Sequence, residues 1–187
     1  MTKPLFIVGT RPEIIKVSSL VNKIDCKVLF TGQHFDNAMS EFFFKLIKNA
    51  PLINLKGTNY RNKNWGGFTD DIKSQIKKIR PSTVIVQGDT NTAFAGALAA
   101  FYMGIPVAHV EAGLRTDDLH NPFPEEANRR MISQISALHF APTEISKANL
   151  LLVSVSIPAP SSSSLQSSCL IRFSPSSMIS FNLQIKL

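Results

Sequence analysis

The sequence predicts an α/β fold built on a parallel sheet. Three observations predict it. Up to about Leu150, short apolar runs alternate with helical patterns. Glycine-containing turns, Gly9-Thr10-Arg11 and Gly88-Asp89-Thr90, stand where an apolar run gives way to a helix. Explicit capping and stop signals mark several of the helix ends.

The first strand is read at Leu5 to Val8, followed by a helix from Glu13 to Ile24. Its start, Thr10-Arg11-Pro12-Glu13, fits a capping box with proline in the first turn, which makes Glu13 a structural cap. A second strand, Lys27 to Thr31, leads to a helix at Asn37 to Lys48. Pro51 to Gly67 is the least patterned stretch and is expected to contain a loop. A helix at Phe68 to Ile79 is closed by Pro81, and a strand at Thr83 to Gln87 follows. The Ala-rich helix Asn91 to Met103 stops at Gly104, before a strand at Pro106 to Val110. A helix at Glu125 to Ser136, a short strand at Leu138 to Ala141 and a helix at Glu144 to Leu150 complete the series.

From about Leu151 the pattern is lost. Roughly a third of the residues there are Ser, Asp and Glu vanish, and Pro158-Ala159-Pro160 leads into the run Ser161 to Ser164. Residues 151–187 read either as a disordered extension or as a shifted frame or artificial terminus replacing the original continuation. The second is preferred, because the break falls inside a regular helix-strand progression.

The 187 residues allow one domain of ordinary size, at 1–150, and leave no room for a second of similar size. No apolar run approaches the roughly 20 residues of a membrane span, so a cytoplasmic protein is expected. Cys26 and Cys169 give neither a disulfide framework nor metal-ligand spacing, and no metal is expected. The net charge of +7 is spread over Lys45, Lys48, Lys56, Arg61, Lys63, Lys73, Lys77, Lys78 and Arg80. Without an aromatic-interleaved block this describes solvated helix faces better than a nucleic-acid surface, and it equally suits an anionic small molecule.

Chemistry is expected where strands end and helices begin. The turn Gly9-Thr10-Arg11-Pro12-Glu13 offers free N–H groups and a helix dipole to an anion, with Arg11 as a bidentate partner. Lys16, one turn on, reads as a second ligand charge or as a solvated helix residue. Neither a dinucleotide fingerprint nor a Walker loop is present, so NAD and ATP are not indicated. Asp89 suits an N-cap as well as a functional carboxylate. Glu111, at a strand end entering Ala112-Gly113, has no capping role to explain it. Glu125 sits in a first helical turn and can face Arg129 at i+4, as a surface pair or as part of a site. His109 and His34 are further candidates, a lone histidine being more often structural.

Taken together, Gly9-Thr10-Arg11-Pro12-Glu13 with Lys16, Thr31-Gly32-Gln33-His34, Gly88-Asp89-Thr90, His109 to Thr116 and Pro124 to Arg129 resemble the non-hydrolysing UDP-N-acetylglucosamine 2-epimerases over about residues 3 to 150. The resemblance implies the N-terminal, Rossmann-like half of a two-domain glycosyltransferase B type architecture. It implies interconversion of UDP-GlcNAc and UDP-ManNAc, for cell-surface polysaccharide synthesis, by loss and re-addition of UDP through a 2-acetamidoglucal, with no cofactor. It assigns Asp89, Glu111, Glu125 and Lys16 to catalysis and Arg11, Arg129, Arg115 and His34 to substrate binding. It also implies a homodimer as one state open to full-length relatives.

The departures matter equally. After Leu150 the family's Gly-Asn-Thr segment, its later catalytic histidine and the C-terminal domain are not found, so this chain alone is expected to be inactive. Asp36 replaces a glutamine, and an arginine is lost near Trp65, both belonging to the allosteric site of regulated members. The alternatives are a hydrolysing relative that releases ManNAc and UDP, and a non-catalytic remnant with weak or no nucleotide binding.

Overall fold

The computed structural model describes residues 2–33, 45–55, 65–155 and 178–180. Seven strands pair in parallel: β1 (Leu5–Val8), β2 (Lys27–Phe30), β3 (Leu52–Asn54), β4 (Val84–Gln87), β5 (Val107–Val110), β6 (Leu138–Ala141) and β7 (Met178–Ser180). Their spatial order is β3-β2-β1-β4-β5-β6-β7. The helices are α1 (Arg11–Val21), α2 (Trp65–Ile79), α3 (Asn91–Tyr102), α4 (Glu125–Ile135) and α5 (Glu144–Val155).

Successive side chains of a strand point to opposite faces, and here both faces are covered. Leu5, Ile7, Leu29, Val84 and Val86 pack with Phe68, Ile72 and Ile76 of α2, the alanines of α3 and Ile132 of α4. Phe6, Val8, Val28, Phe30 and Ile85 pack on the other face with Ile14, Val17 and Val21 of α1. Strands buried on both sides explain why β1, β2 and β4 read as continuous apolar runs. The order reverses between β1 and β4, whose carboxyl ends flank a topological switch point, the place where open α/β sheets bind ligands.

Several signals act as expected. Glu13 accepts from the Thr10 N–H at 2.6 Å, the glutamate half of the capping box. At the end of α3, the Ile105 and Gly104 N–H groups donate to the Ala100 and Phe101 carbonyls, each at 3.0 Å, a Schellman closure.

Four readings are corrected. Helix α1 stops at Val21 rather than Ile24, with Asn22 as its cap. Residues 45–48 are not helical, because the Asn22 side chain takes the Lys48 N–H at 2.9 Å and donates to the Leu46 carbonyl at 2.7 Å. Residues 37–44 of that expected helix lie outside the described residues. The stretch expected to contain a loop also carries an unexpected strand, β3, paired Val28↔Leu52 to Phe30↔Asn54, and the first turn of α2. Three edge residues, none of them fully buried, are too few to show an alternating pattern. Finally, α5 runs on to Val155, and Met178–Ser180 pairs with β6 from His139↔Met178 to Ala141↔Ser180, so the sheet extends past the point where the sequence pattern is lost.

Among the described residues no helix is long and apolar enough to cross a membrane. Cys26 is a buried free thiol, and Cys169 lies outside the described residues.

Candidate active site

Three loops meet the carboxyl edge of the sheet, after β1, β4 and β5. In the first, the Glu13 carboxylate is buried and accepts from the N–H groups of Gly9 (2.7 Å) and Thr10 (2.6 Å) and from the Thr10 hydroxyl (2.8 Å). Its other oxygen accepts from the Thr90 hydroxyl at 2.6 Å, tying the β1 loop to the β4 loop. Burial pushes this carboxyl above its ordinary value, while the hydrogen bonds, that of Thr90 foremost, pull it back. Gly9 is squeezed in turn. A Cβ there would stand 2.1 Å from Thr92 Oγ1 and 2.6 Å from Thr31 Oγ1, which are hydrogen-bonded to each other at 2.8 Å.

In the β4 loop the helix cap is Thr90, not Asp89: the Thr90 hydroxyl accepts from the Ala93 N–H at 3.1 Å. Asp89 is thereby released from capping. Its Oδ2 receives Arg129 Nη2 at 2.7 Å, and its backbone carbonyl receives Asn128 Nδ2 at 2.9 Å. Asn128 Nδ2 also reaches Asn91 Oδ1 at 3.0 Å, fixing the start of α3 against α4.

In the β5 loop Glu111 adopts φ +65°, the left-handed region that non-glycine residues enter at a cost. Its carboxylate takes both contacts of Lys16 Nζ, at 2.8 and 2.7 Å, and a hydrogen bond from Gln87 Nε2. The Glu111 and Lys16 side chains are 26% and 43% exposed, so the pair adds little to stability and does not offset the strain.

Beneath these loops lie two buried histidines on paired strands, His109↔His139. His109 Nε2–H donates to the Gly88 carbonyl at 2.8 Å, and its role is to hold the turn before Asp89. Burial is the leading cause that drives the His109 pKa from 6.5 to about 3 and that of His139 from 6.5 to about 4. A histidine that stays neutral when folded binds fewer protons than its unfolded counterpart below 6.5. Stability is therefore complete above that value and is lost as pH falls toward the folded pKa. Between pH 6.5 and about 5 the expected loss is on the order of 2 kcal/mol per histidine. Glu13, with its raised pKa, acts in the opposite sense. Urea midpoints of the chain and of His139→Gln across this range separate the two, since the substitution removes one histidine's share of the slope. Identical slopes in both would contradict the assignment.

The structure thus brings Lys16, Asp89, Glu111 and Arg129 together as two carboxylate-cation pairs on neighbouring strand ends. Arg11 is exposed at the start of α1. Arg115 is half-buried and directed at the Leu114 carbonyl (2.7 Å) and Ser133 Oγ (3.1 Å). His34 lies outside the described residues. Glu125 is half-buried, and no hydrogen bond or ion pair among the described residues involves it. The expected Glu125–Arg129 pair is replaced: Arg129 Nη1 meets Glu126 at 3.1 Å instead. Sequence reasoning passed over Glu126, although Arg129 and Arg130 at i+3 and i+4 were a readable sign of its pairing. It also passed over the part played by Gln87 and Asn128, for which spacing carries no signal.

Fold and site define the class: a Rossmann-like parallel α/β domain with cation-paired carboxylates at its switch-point edge, like one half of a glycosyltransferase B type enzyme. The family model described as UDP-N-acetylglucosamine 2-epimerase matches residues 19–157, and the chain belongs to that family. It is 43% identical over 166 residues to the UDP-N-acetylglucosamine 2-epimerase of Neisseria meningitidis, covering 84% of this chain and 44% of the relative. The structure of UDP-GlcNAc 2-epimerase from that organism, bound to UDP-GlcNAc, superposes with a TM-score of 0.70 and 44% identity over 83% of this chain and 43% of that one. A co-structure of Staphylococcus aureus MnaA with UDP has a TM-score of 0.77 and 32% identity, over 96% of this chain and 44% of that chain. The chain therefore spans less than half the length of these relatives.

Proposed function

We propose that residues 1–150 form the catalytic half-site of a UDP-GlcNAc 2-epimerase, with 151–187 as an atypical continuation, in a cytoplasmic enzyme that acts on UDP-GlcNAc and needs no nucleic acid, metal or cofactor. The observation that carries this reading is Glu111: a residue held in left-handed backbone and paired with Lys16 at the edge where Asp89 meets Arg129. Such backbone costs about 1–3 kcal/mol, and its coincidence here with two carboxylate-cation pairs at the switch-point edge is what singles Glu111 out from the other positive-φ residues, Arg80 and Asp117. The relatives with UDP-GlcNAc and UDP bound support the same substrate class.

The chemistry needs a base at sugar C2, an acid on the opposite face and a stabiliser for the leaving diphosphate. A carboxylate removes the C2 proton, the C1–O bond breaks, and UDP departs with the bonding electrons, leaving the 2-acetamidoglucal. Protonation of C2 from the other face and return of UDP to C1 complete the inversion. Asp89, Glu111 and Glu125 supply the proton-transfer groups. Lys16 and Arg11 stand at the β1 loop, where the N-terminus of α1 favours the diphosphate. Arg129 orients Asp89, and Arg115 and His34 complete the substrate contacts.

A polypeptide of these 187 residues alone is expected to leave UDP-GlcNAc unchanged, because the nucleotide is held between two halves. NMR product analysis in deuterated water checks this. Formation of UDP-ManNAc at the rate of full-length relatives would contradict it.

A further inference from the structure

Glu126 is the most buried acid of the site region, with a fully covered side chain, yet none of the catalytic assignments uses it. Its carboxylate meets three groups: Arg129 Nη1 at 3.1 Å, Arg130 Nε at 2.7 Å, and the Thr116 N–H at 3.3 Å. A buried carboxylate is expensive to leave unpaired, so these contacts are strongly held. Arg129 thus has a carboxylate at each end of its fork, Nη1 in an ion pair with Glu126 and Nη2 donating to Asp89 at 2.7 Å. Its Nε has no partner among the described residues, so the two carboxylates alone set the plane of the guanidinium. The Thr116 contact ties the same anchor to the loop that begins at Glu111, which is closed further on by the Thr116 hydroxyl donating to the Asn121 carbonyl at 2.6 Å.

We propose that Glu126 is a positioning residue: it fixes the guanidinium of Arg129 so that one arm is presented to Asp89 Oδ2, and it registers the 111–116 loop against α4. Asp89 is held by one oxygen, and Oδ1 has no protein partner among the described residues. The functional consequence, a pre-aimed Asp89, rests on the epimerase reading. The positioning itself does not.

The test follows the Nη signals of Arg129 by NMR in the full 187-residue chain, where a doubly held guanidinium rotates slowly about its Nε–Cζ bond. E126Q removes the charge of the ion pair and sets an amide NH2 where one of the two cation-facing carboxylate oxygens stood, and it is expected to speed that rotation about tenfold. Arg130→Ala, which cuts the other Glu126 pair, is expected to leave Arg129 unchanged. Wild-type exchange of Arg129 in folded E126Q would overturn the proposal, as would equal acceleration in both variants. If E126Q does not fold, Glu126→Asp carries the same test, because its shorter arm cannot span both guanidiniums. Unchanged exchange there, or failure of both variants to fold, would make Glu126 a purely structural residue. No substrate enters the measurement, so its failure is distinct from failure of the epimerase reading.

Discussion

Gly113→Ala is expected to lower the unfolding free energy by about 3 kcal/mol or more. Gly113 has φ +89°, and a Cβ built on it would stand 2.1 Å from the Ser146 carbonyl oxygen, 2.8 Å from its carbon and 3.0 Å from Leu150 Cγ. The first two are backbone atoms of α5 and cannot swing aside as a side-chain tip would. The helix would have to move, loosening the Asn149 Nδ2 bond to the Gly113 carbonyl (2.9 Å) and the small cluster of Ala112, Ala141 and Leu150. Chemical denaturation of the variant against the parent chain measures the loss. A change below about 1 kcal/mol would mean that the Ser146 backbone does not close on Gly113. Because Gly113 lies two residues beyond Glu111, the same close approach also holds the loop that carries the candidate acid.

The second large effect concerns Glu111. In an enzyme with both halves of the cleft, Glu111→Gln is expected to reduce turnover by about 10²–10⁴, the range for removing a group that transfers a proton. Stability should change little, since the amide keeps the size and backbone strain of the acid and the lost Lys16 pair is partly exposed. Glu111→Gly should separate the two roles further, gaining about 1 kcal/mol by relieving φ +65° while losing the chemistry. A turnover loss accompanied by an equal loss of fold would instead make Glu111 a structural residue.

Much of this was legible in the sequence because the signals were local. Two-sided burial wrote β1, β2 and β4 as apolar runs, and Thr10 to Glu13 and Gly104 announced the helix ends they form. What was not legible depends on contacts between distant segments. The Asn22 side chain captures the backbone near residue 48, so residues 45–48 are not helical although periodicity favoured a helix there. β3 is visible only as the partner of β2. At the site, Asp89 could have been a cap or a ligand on sequence grounds, and the choice falls to Thr90, whose hydroxyl both caps α3 and donates to Glu13. Glu125 and Glu126 are neighbours of identical type, and only the burial of one face of α4 separates the half-buried acid, which has no ion pair among the described residues, from the one that meets two arginines.

The most direct test of the half-site is a chimera in which residues 1–150 of this chain replace the matching half of the Neisseria meningitidis epimerase. It would be incubated with UDP-GlcNAc in deuterated water and followed by NMR. The predicted result is UDP-ManNAc carrying deuterium at C2, abolished by Glu111→Gln. A folded chimera that leaves the substrate unchanged, or one that releases free ManNAc, would contradict it.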